Sequence, residues 1–157
     1  MRRLLFLPLL LAAPALAAPD WSSYDNARYG YRGAVPPGFS GYGESDNGDG
    51  QIFDNQSTRQ VLSYWGSMVL EDDFTGEVAT AMANAEEQGW NIAFQAVTPD
   101  WATFTGIMGQ QQFQTRMILL CDRTSTASMT LQYTSAQAAD IKPVLQELEA
   151  GLVAIGC

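Results

Sequence analysis

Hydrophobic and polar positions along the chain predict a run of short strands, a helix, more strands and a last helix. The clearest signal is at the end, where Ile141, Leu145, Leu148, Leu152 and Ile155 recur at spacings of four and three and make one apolar stripe of a helix. Asp140 is placed to cap that helix, with Pro143 in its first turn, where a missing N–H costs little. An earlier helix is predicted behind Asp72 and Asp73, whose carboxylates suit the unpaired N–H groups of a first turn. Phe74, Val78, Ala81, Met82 and Ala85 form its inner face, and Gly89 ends it.

Between and before the helices the period shortens to two. Tyr29–Val35 reads as a strand ended by Pro36-Pro37-Gly38. The segments 51–54 and 59–66 flank the polar turn Asn55-Gln56-Ser57-Thr58 and read as a hairpin. Further strands are expected near Trp90–Val97, Trp101–Met108, Gln112–Leu120 and Ser128–Tyr133. Residues 18–27 read as a lead-in, and the Gly-, Ser-, Asn- and Asp-rich segment Ser40–Gly50 as one long loop. The order strands, helix, strands, helix predicts an α+β fold, an antiparallel sheet flanked by helices.

The first residues change the picture of where the chain works. Met1-Arg2-Arg3, the apolar run Leu4–Leu11 and Ala15-Leu16-Ala17 have the three parts of a cleavable export signal. The run is shorter than the roughly 20 residues of a membrane span and is broken by Pro8 and Pro14. The expected organisation is a signal peptide over 1–17 and one domain over 18–157, located in the periplasm or secreted. Cleavage takes Arg2 and Arg3 with it, leaving six basic residues against 17 acidic ones and a net charge of −11. Such a charge argues against nucleic acid and against an anionic membrane surface. The two cysteines, Cys121 and Cys157, are expected to pair in an oxidising compartment.

Candidate chemistry is sparse. The chain has no histidine, which removes Ser-His-Asp and Cys-His catalysis and His-ligated metal sites. Lys142 is the only lysine and sits at a helix start, where a solvated charge explains it. Glu71, Asp72 and Asp73 are neighbours, as are Glu86 and Glu87, but a glycosidase needs two carboxyls facing each other across a sugar. Helix capping and a solvated helix face explain those groups. Ser45, Asn47, Asp49, Gly50 and Gln56 imitate the register of a calcium loop, with Ser and Gln where two charged ligands belong. A glycine-rich turn accounts for the same residues. No cofactor or metal is expected. Tyr42 in this loop is the candidate exposed anchor, with Asp46 and Asp49 beside it as candidate binding residues.

Several of these segments resemble a known pattern. Tyr24, Asn26 and Arg28 leading into Tyr29-Gly30-Tyr31, then Pro36, Gly38 and Phe39, are similar to an opening found in small, mostly uncharacterised exported bacterial proteins. Asn47-Gly48-Asp49-Gly50 with Phe53, Ile107-Met108-Gly109, the strand ending in Cys121, and Leu131-Gln132-Tyr133 follow in the matching order. Thr134 stands where that family usually has proline. These proteins resemble the PsbP-like α/β/α sandwich, a fold shared by a photosystem extrinsic subunit and several bacterial exported proteins. The resemblance implies an accessory or binding protein rather than an enzyme, with an unidentified envelope protein or small ligand as partner. Two alternatives stand beside it: an inhibitor or immunity-type protein binding a basic enzyme, and a carboxylate-dependent hydrolase. Fold alone carries none of these functions.

Overall fold

The computed structural model describes residues 20–157. The expected signal peptide, 1–17, lies outside the described residues. In chain order the elements are β1 (Ser22–Asn26), β2 (Tyr31–Val35), β3 (Ser40–Glu44), β4 (Gly50–Asn55), β5 (Gln60–Met68), α1 (Phe74–Glu87), β6 (Asn91–Val97), β7 (Trp101–Met108), β8 (Gln111–Leu119), β9 (Ser125–Thr134), α2 (Ala138–Gly151) and β10 (Val153–Ala154).

Seven strands form one antiparallel sheet in the order β3-β4-β5-β9-β8-β7-β6, and β1-β2-β10 form a small second sheet. Alternation along the strands decides what each face of the large sheet covers. On β9, Ala127, Met129, Leu131 and Tyr133 point into a core shared with α2 and the small sheet. On β8, Phe113 stands opposite Gln132 and Met117 opposite Ser128, so these two side chains occupy the other face. There they meet Phe74 and Val78 of α1 together with Ala102 and Phe104 of β7. The helices therefore lie on opposite faces, and the antiparallel sheet with flanking helices is the architecture the alternation predicts.

Local chemistry explains the element ends. Asp73 caps α1, its carboxylate accepting the N–H of Gly76 at 2.9 Å. Gly89 closes the helix with φ +95°, in the left-handed region that favours glycine. The start of α2 differs from the sequence expectation. A 3-10 turn over Ser135–Gln137 leads into it, and Thr134 N–H donates to Gln137 Oε1 at 2.9 Å. Gln137 Nε2 in turn donates to Thr58 O at 2.9 Å, tying the helix start to the β4–β5 turn. Asp140 lies inside the first turn rather than at the cap, and Pro143 lies inside the helix.

Three further expectations are corrected. Residues 18–27 are not merely a lead-in, because β1 pairs along its whole length with β2. The segment Ser40–Gly50 is not all loop, since Ser40–Glu44 adds an edge strand to β4 across a bulge. The apolar stripe of the last helix does not run to Ile155. Leu152 leaves helical geometry (φ −83°, ψ 105°), and Val153–Ala154 pair with Arg32 and Tyr31 of β2.

Cys121 and Cys157 stand at disulfide geometry, with Cα atoms 5.3 Å apart and a sequence separation of 36. The bridge fastens the chain end behind β10 to the end of β8. No helix among the described residues is long and apolar enough to cross a membrane.

Candidate functional site

The helix α1 covers only the β6–β8 half of its face. Where it stops, a groove of about 310 Å³ opens between the helix and strands β8, β9 and β5. Its floor is Phe104, Phe113 and Met117, and Trp90 closes one end with its ring edge-on to Phe113 at 4.9 Å. Its wall is polar because β9 alternates: Ser128, Thr130 and Gln132 face the groove while Met129, Leu131 and Tyr133 face the opposite core. Thr130 and Thr115 share a hydroxyl hydrogen bond of 2.7 Å across the strands. Ser128 Oγ donates to Trp65 O at 3.3 Å, and Ser67 and Thr126 pair at 2.9 Å. From the helix side come Thr80, Asn84 and Gln88.

The groove runs on into open sheet. Trp65 is the register partner of Ser128 and shares its face, as Ile52 does through Ser63. Trp65 is 37% exposed, Ile52 39% and Tyr42 71%. Tyr42 joins this face through Asp54, whose carboxylate holds the phenol above its ordinary value.

The carboxylates near the groove are already engaged. Glu77 accepts the N–H groups of Leu70 (2.9 Å) and Glu71 (3.3 Å), and Glu71 accepts the Thr80 hydroxyl at 3.0 Å. Asp73 accepts from Thr75 (2.6 Å) and Gly76, which hold its pKa below the usual carboxylate value. This arrangement supplies hydroxyls, amides and ring faces to a ligand. It does not set two carboxyls facing each other across a gap.

The sequence-predicted binding residues do not converge. Tyr42 lies on the open sheet face, whereas Asp46 and Asp49 lie in the β3–β4 turn. Asp49 is built into that turn: its carboxylate pairs with Arg28 at 2.8 Å and accepts from Asn47 Nδ2 at 2.5 Å, and its N–H donates to Ser45 Oγ at 3.0 Å. Buried Asn26 ties the turn to the core, its amide donating to Gly48 O (2.8 Å) and to Tyr24 Oη (2.9 Å). Asp46 is exposed at the turn. The calcium-loop register is not assembled, because the whole of β4 separates Gln56 from the turn that holds Ser45, Asn47 and Asp49. Among the described residues no three His, Cys, Asp or Glu side chains gather as a metal set.

The groove-lining residues Ser128, Thr130, Gln132 and Thr115 were not singled out from sequence. Their signal was there: a strand at the middle of a sheet with one face fully polar must look onto water or a groove.

A second polar cluster sits on the opposite face. Arg116 stacks over the Trp101 ring at 4.2 Å and donates to Thr103 Oγ1 at 3.1 Å. Thr103 (3.3 Å) and Gln114 (2.5 Å) both donate to Glu149 of α2. Burial pulls the Arg116 pKa down, and the Glu149 charge opposes that. The cluster fastens the end of α2 to β7 and β8.

No family model matches the chain, and no curated protein matches it. Solved structures do. The solution structure of cyanobacterial PsbP (CyanoP) from Synechocystis sp. PCC 6803 superposes with a TM-score of 0.64 at 14% identity, covering 92% of this chain and 98% of that one. The fold is PsbP-like. The Ran-binding protein Mog1p of Saccharomyces cerevisiae also matches, with a TM-score of 0.64 at 11% identity over 88% of this chain and 97% of its own. A Mog1 mutant structure matches at the same TM-score. At these identities the likeness speaks for the fold alone.

Proposed function

We propose that the protein is a non-enzymatic accessory or binding protein of the periplasm or extracellular space, and that the groove beside α1, with Trp65 at its mouth, takes its ligand. The observation that carries this reading is the groove's lining: hydroxyls and amides over an aromatic floor, continuing onto an exposed tryptophan. The one carboxylate in the lining, Glu77, is already held by the N–H groups of Leu70 and Glu71, and the remaining uncharged hydrogen-bonding groups beside ring faces suit an uncharged polar ligand, such as a glycan or the backbone of a peptide. The export-type leader and the cysteine pair support an extracytoplasmic location.

The test is a tryptophan-fluorescence and thermal-shift titration of the mature protein with neutral oligosaccharides and uncharged peptides. A saturable response is expected, weakened about tenfold by Trp65→Ala with the circular dichroism unchanged. Silence across both panels, with no specific partner recovered from envelope extract, would sink the reading. Fractionation of cells making the chain with and without residues 1–17 tests the location.

One observation favours a second reading, an inhibitor of a basic enzyme. Exposed carboxylates mark both ends of α1, at Glu71–Asp73 and Glu86–Glu87. Binding of that kind would weaken steeply with salt, whereas binding in the groove would not.

A further inference from the structure

The two walls of the groove beside α1 each carry a row of hydrogen-bonding side chains. On β9 they are Ser128, Thr130 and Gln132, at every second residue and so about 6.8 Å apart. On α1 and its C-cap they are Thr80, Asn84 and Gln88, at every fourth residue and so about 6 Å apart. The rows run side by side. Glu77 binds the N–H of Leu70, and the N–H of Val69 donates to Thr124 O just ahead of β9, so α1 begins beside the head of β9. Trp90, just behind α1, meets Phe113, whose register partner is Gln132. The strand β9 is bonded along both edges, to β5 and to β8, so its backbone offers nothing to a ligand and its side chains must. The hydroxyls of Ser128 and Thr130 are engaged within the sheet. Among the described residues the side-chain amides of Asn84, Gln88 and Gln132 are exposed and unspent.

We propose that the groove takes an extended peptide segment of about five residues lying between α1 and β9, with an apolar side chain at the Trp90 end and a basic one at the Glu77 end. This rests on the groove being the ligand site. An extended chain shows N–H and C=O groups along both edges, repeating every two residues, or about 6.8 Å. That repeat answers both rows at once, and five residues span the three rungs of β9, about 14 Å. A side-chain amide holds a donor and an acceptor together, so Asn84, Gln88 and Gln132 can each meet a peptide N–H and C=O. Alternate side chains of the segment turn down onto Phe104, Phe113 and Met117, an apolar floor that Trp90 closes at one end. Charge fixes the other end. Glu77 is the one charged residue in the lining, and Glu71 stands behind Thr80, whose hydroxyl donates to it at 3.0 Å. The N–H groups of Leu70 and Glu71 both meet Glu77 Oε2, which leaves Oε1 for a lysine or arginine and refuses a carboxylate. A neutral glycan would answer the rungs and leave that oxygen unused.

The experiment follows the side-chain amide signals of Asn84, Gln88 and Gln132 by NMR in the mature protein. The probes are capped pentapeptides, acetyl-X-Thr-Thr-Thr-Z-amide and the reversed order, with X lysine or glutamate and Z phenylalanine or alanine. Cellohexaose and maltohexaose are titrated in parallel. The peptide with lysine and phenylalanine should shift all three signals saturably. Exchanging its lysine for glutamate, or methylating its central backbone nitrogens, should each weaken binding about tenfold or more, the loss expected for one or two hydrogen bonds. Gln132→Ala should weaken it about tenfold, and Glu77→Gln should abolish the preference for lysine over glutamate. If a hexasaccharide shifts these amides and no peptide does, the proposal falls while the groove remains the ligand site. Equal binding of the lysine and glutamate peptides, or indifference to backbone methylation, also overturns it. If neither class shifts the amides, the groove reading falls with it. The peptide and sugar comparisons use the unsubstituted protein, so they decide the matter even if a variant fails to fold.

Discussion

The two helices have the same length, 14 residues, and lie on opposite faces of one sheet, yet they do different work. The helix α2 buries Ile141, Leu145 and Leu148, and Leu152 behind it is buried too. It closes over a core rich in rings, where Tyr24 lies within 6.1 Å of Tyr31, Phe53 and Tyr64, and Phe53 within 6.3 Å of Tyr64, in edge-on and tilted pairs. The helix α1 buries only Phe74 and Val78, in its first turns. Beyond them its inner positions are Ala81, Met82 and Ala85, half-buried. Short side chains there cannot reach across to β9 and β5, and the polar side of β9 gives them nothing apolar to reach for. The groove is what remains. One face of the sheet holds the fold together, and among the described residues the other is left partly uncovered.

The largest expected effect tests that division directly. Leu148→Ala removes a fully buried side chain from a close-packed core and should cost about 4 kcal/mol. Val78→Ala, equally buried but beside the groove, should cost about half as much, because it deletes two carbons rather than three and that side can relax toward open space. Urea unfolding of both variants, with an unchanged denaturant slope, makes the comparison. Equal losses would show that the α1 face is packed as tightly as the other.

The disulfide belongs to the tight side, where it anchors the end of β10 to β8. Replacing Cys121 and Cys157 together by serine should cost about 4 kcal/mol, the value for closing a loop of this size. Hydrogen exchange should quicken in α2 and β10 and leave α1 nearly unchanged. Equal quickening in both helices would mean that the two faces open as one unit.

The same contrast governs what could be read from the sequence. The α2 stripe, the Asp73 cap and the polar–apolar alternation of β9 are local patterns, and they predict the helices and the sheet. The misses are non-local. Ser40–Glu44 contains two glycines and no apolar alternation, and it is a strand because β4 offers an unpaired edge. Val153–Ala154 continues a helical spacing in sequence, but it is turned aside where β2 offers an edge and Gly30 O accepts the N–H of Ile155 at 2.8 Å. The groove escaped for a related reason. Tyr42 stood out as an aromatic in a glycine-rich segment, while Thr115, Ser128, Thr130 and Gln132 matter only once β8, β9 and α1 are set side by side.

Alkali should unfold the protein from the tight side. Burial raises the pKa of Tyr24, Tyr31, Tyr64 and Tyr133 above 10.0, most strongly for Tyr31 and Tyr64. A raised folded-state pKa means that the stabilisation is complete below 10.0 and is lost as pH climbs beyond it. Tyrosinate absorbance from these rings should therefore appear together with the loss of far-ultraviolet dichroism. Ionisation of more than two of the six tyrosines with the dichroism intact would mean that water already reaches the ring core.

Acid gives the smallest effect and tests the other helix. The Thr75 hydroxyl and the Gly76 N–H hold the Asp73 carboxyl below 3.8. A depressed folded-state pKa stabilises the protein above 3.8, and the contribution disappears as pH falls through the lowered value. The first turn of α1 should then fray, while α2, started by the neutral Gln137 amide, keeps its beginning. Asp25, held down by Arg32, and Asp122, held down by the Thr124 N–H and the Ser125 hydroxyl, titrate over the same range. A global melt therefore sums all three, and the discriminating measurement is amide exchange at Gly76 against that at Ile141. Asp73→Asn should remove the pH dependence at Gly76 with little loss at neutral pH, because asparagine caps a helix nearly as well as aspartate. If Gly76 and Ile141 lose protection together in acid, α1 is not the looser helix, and the division between the faces fails at its weakest point.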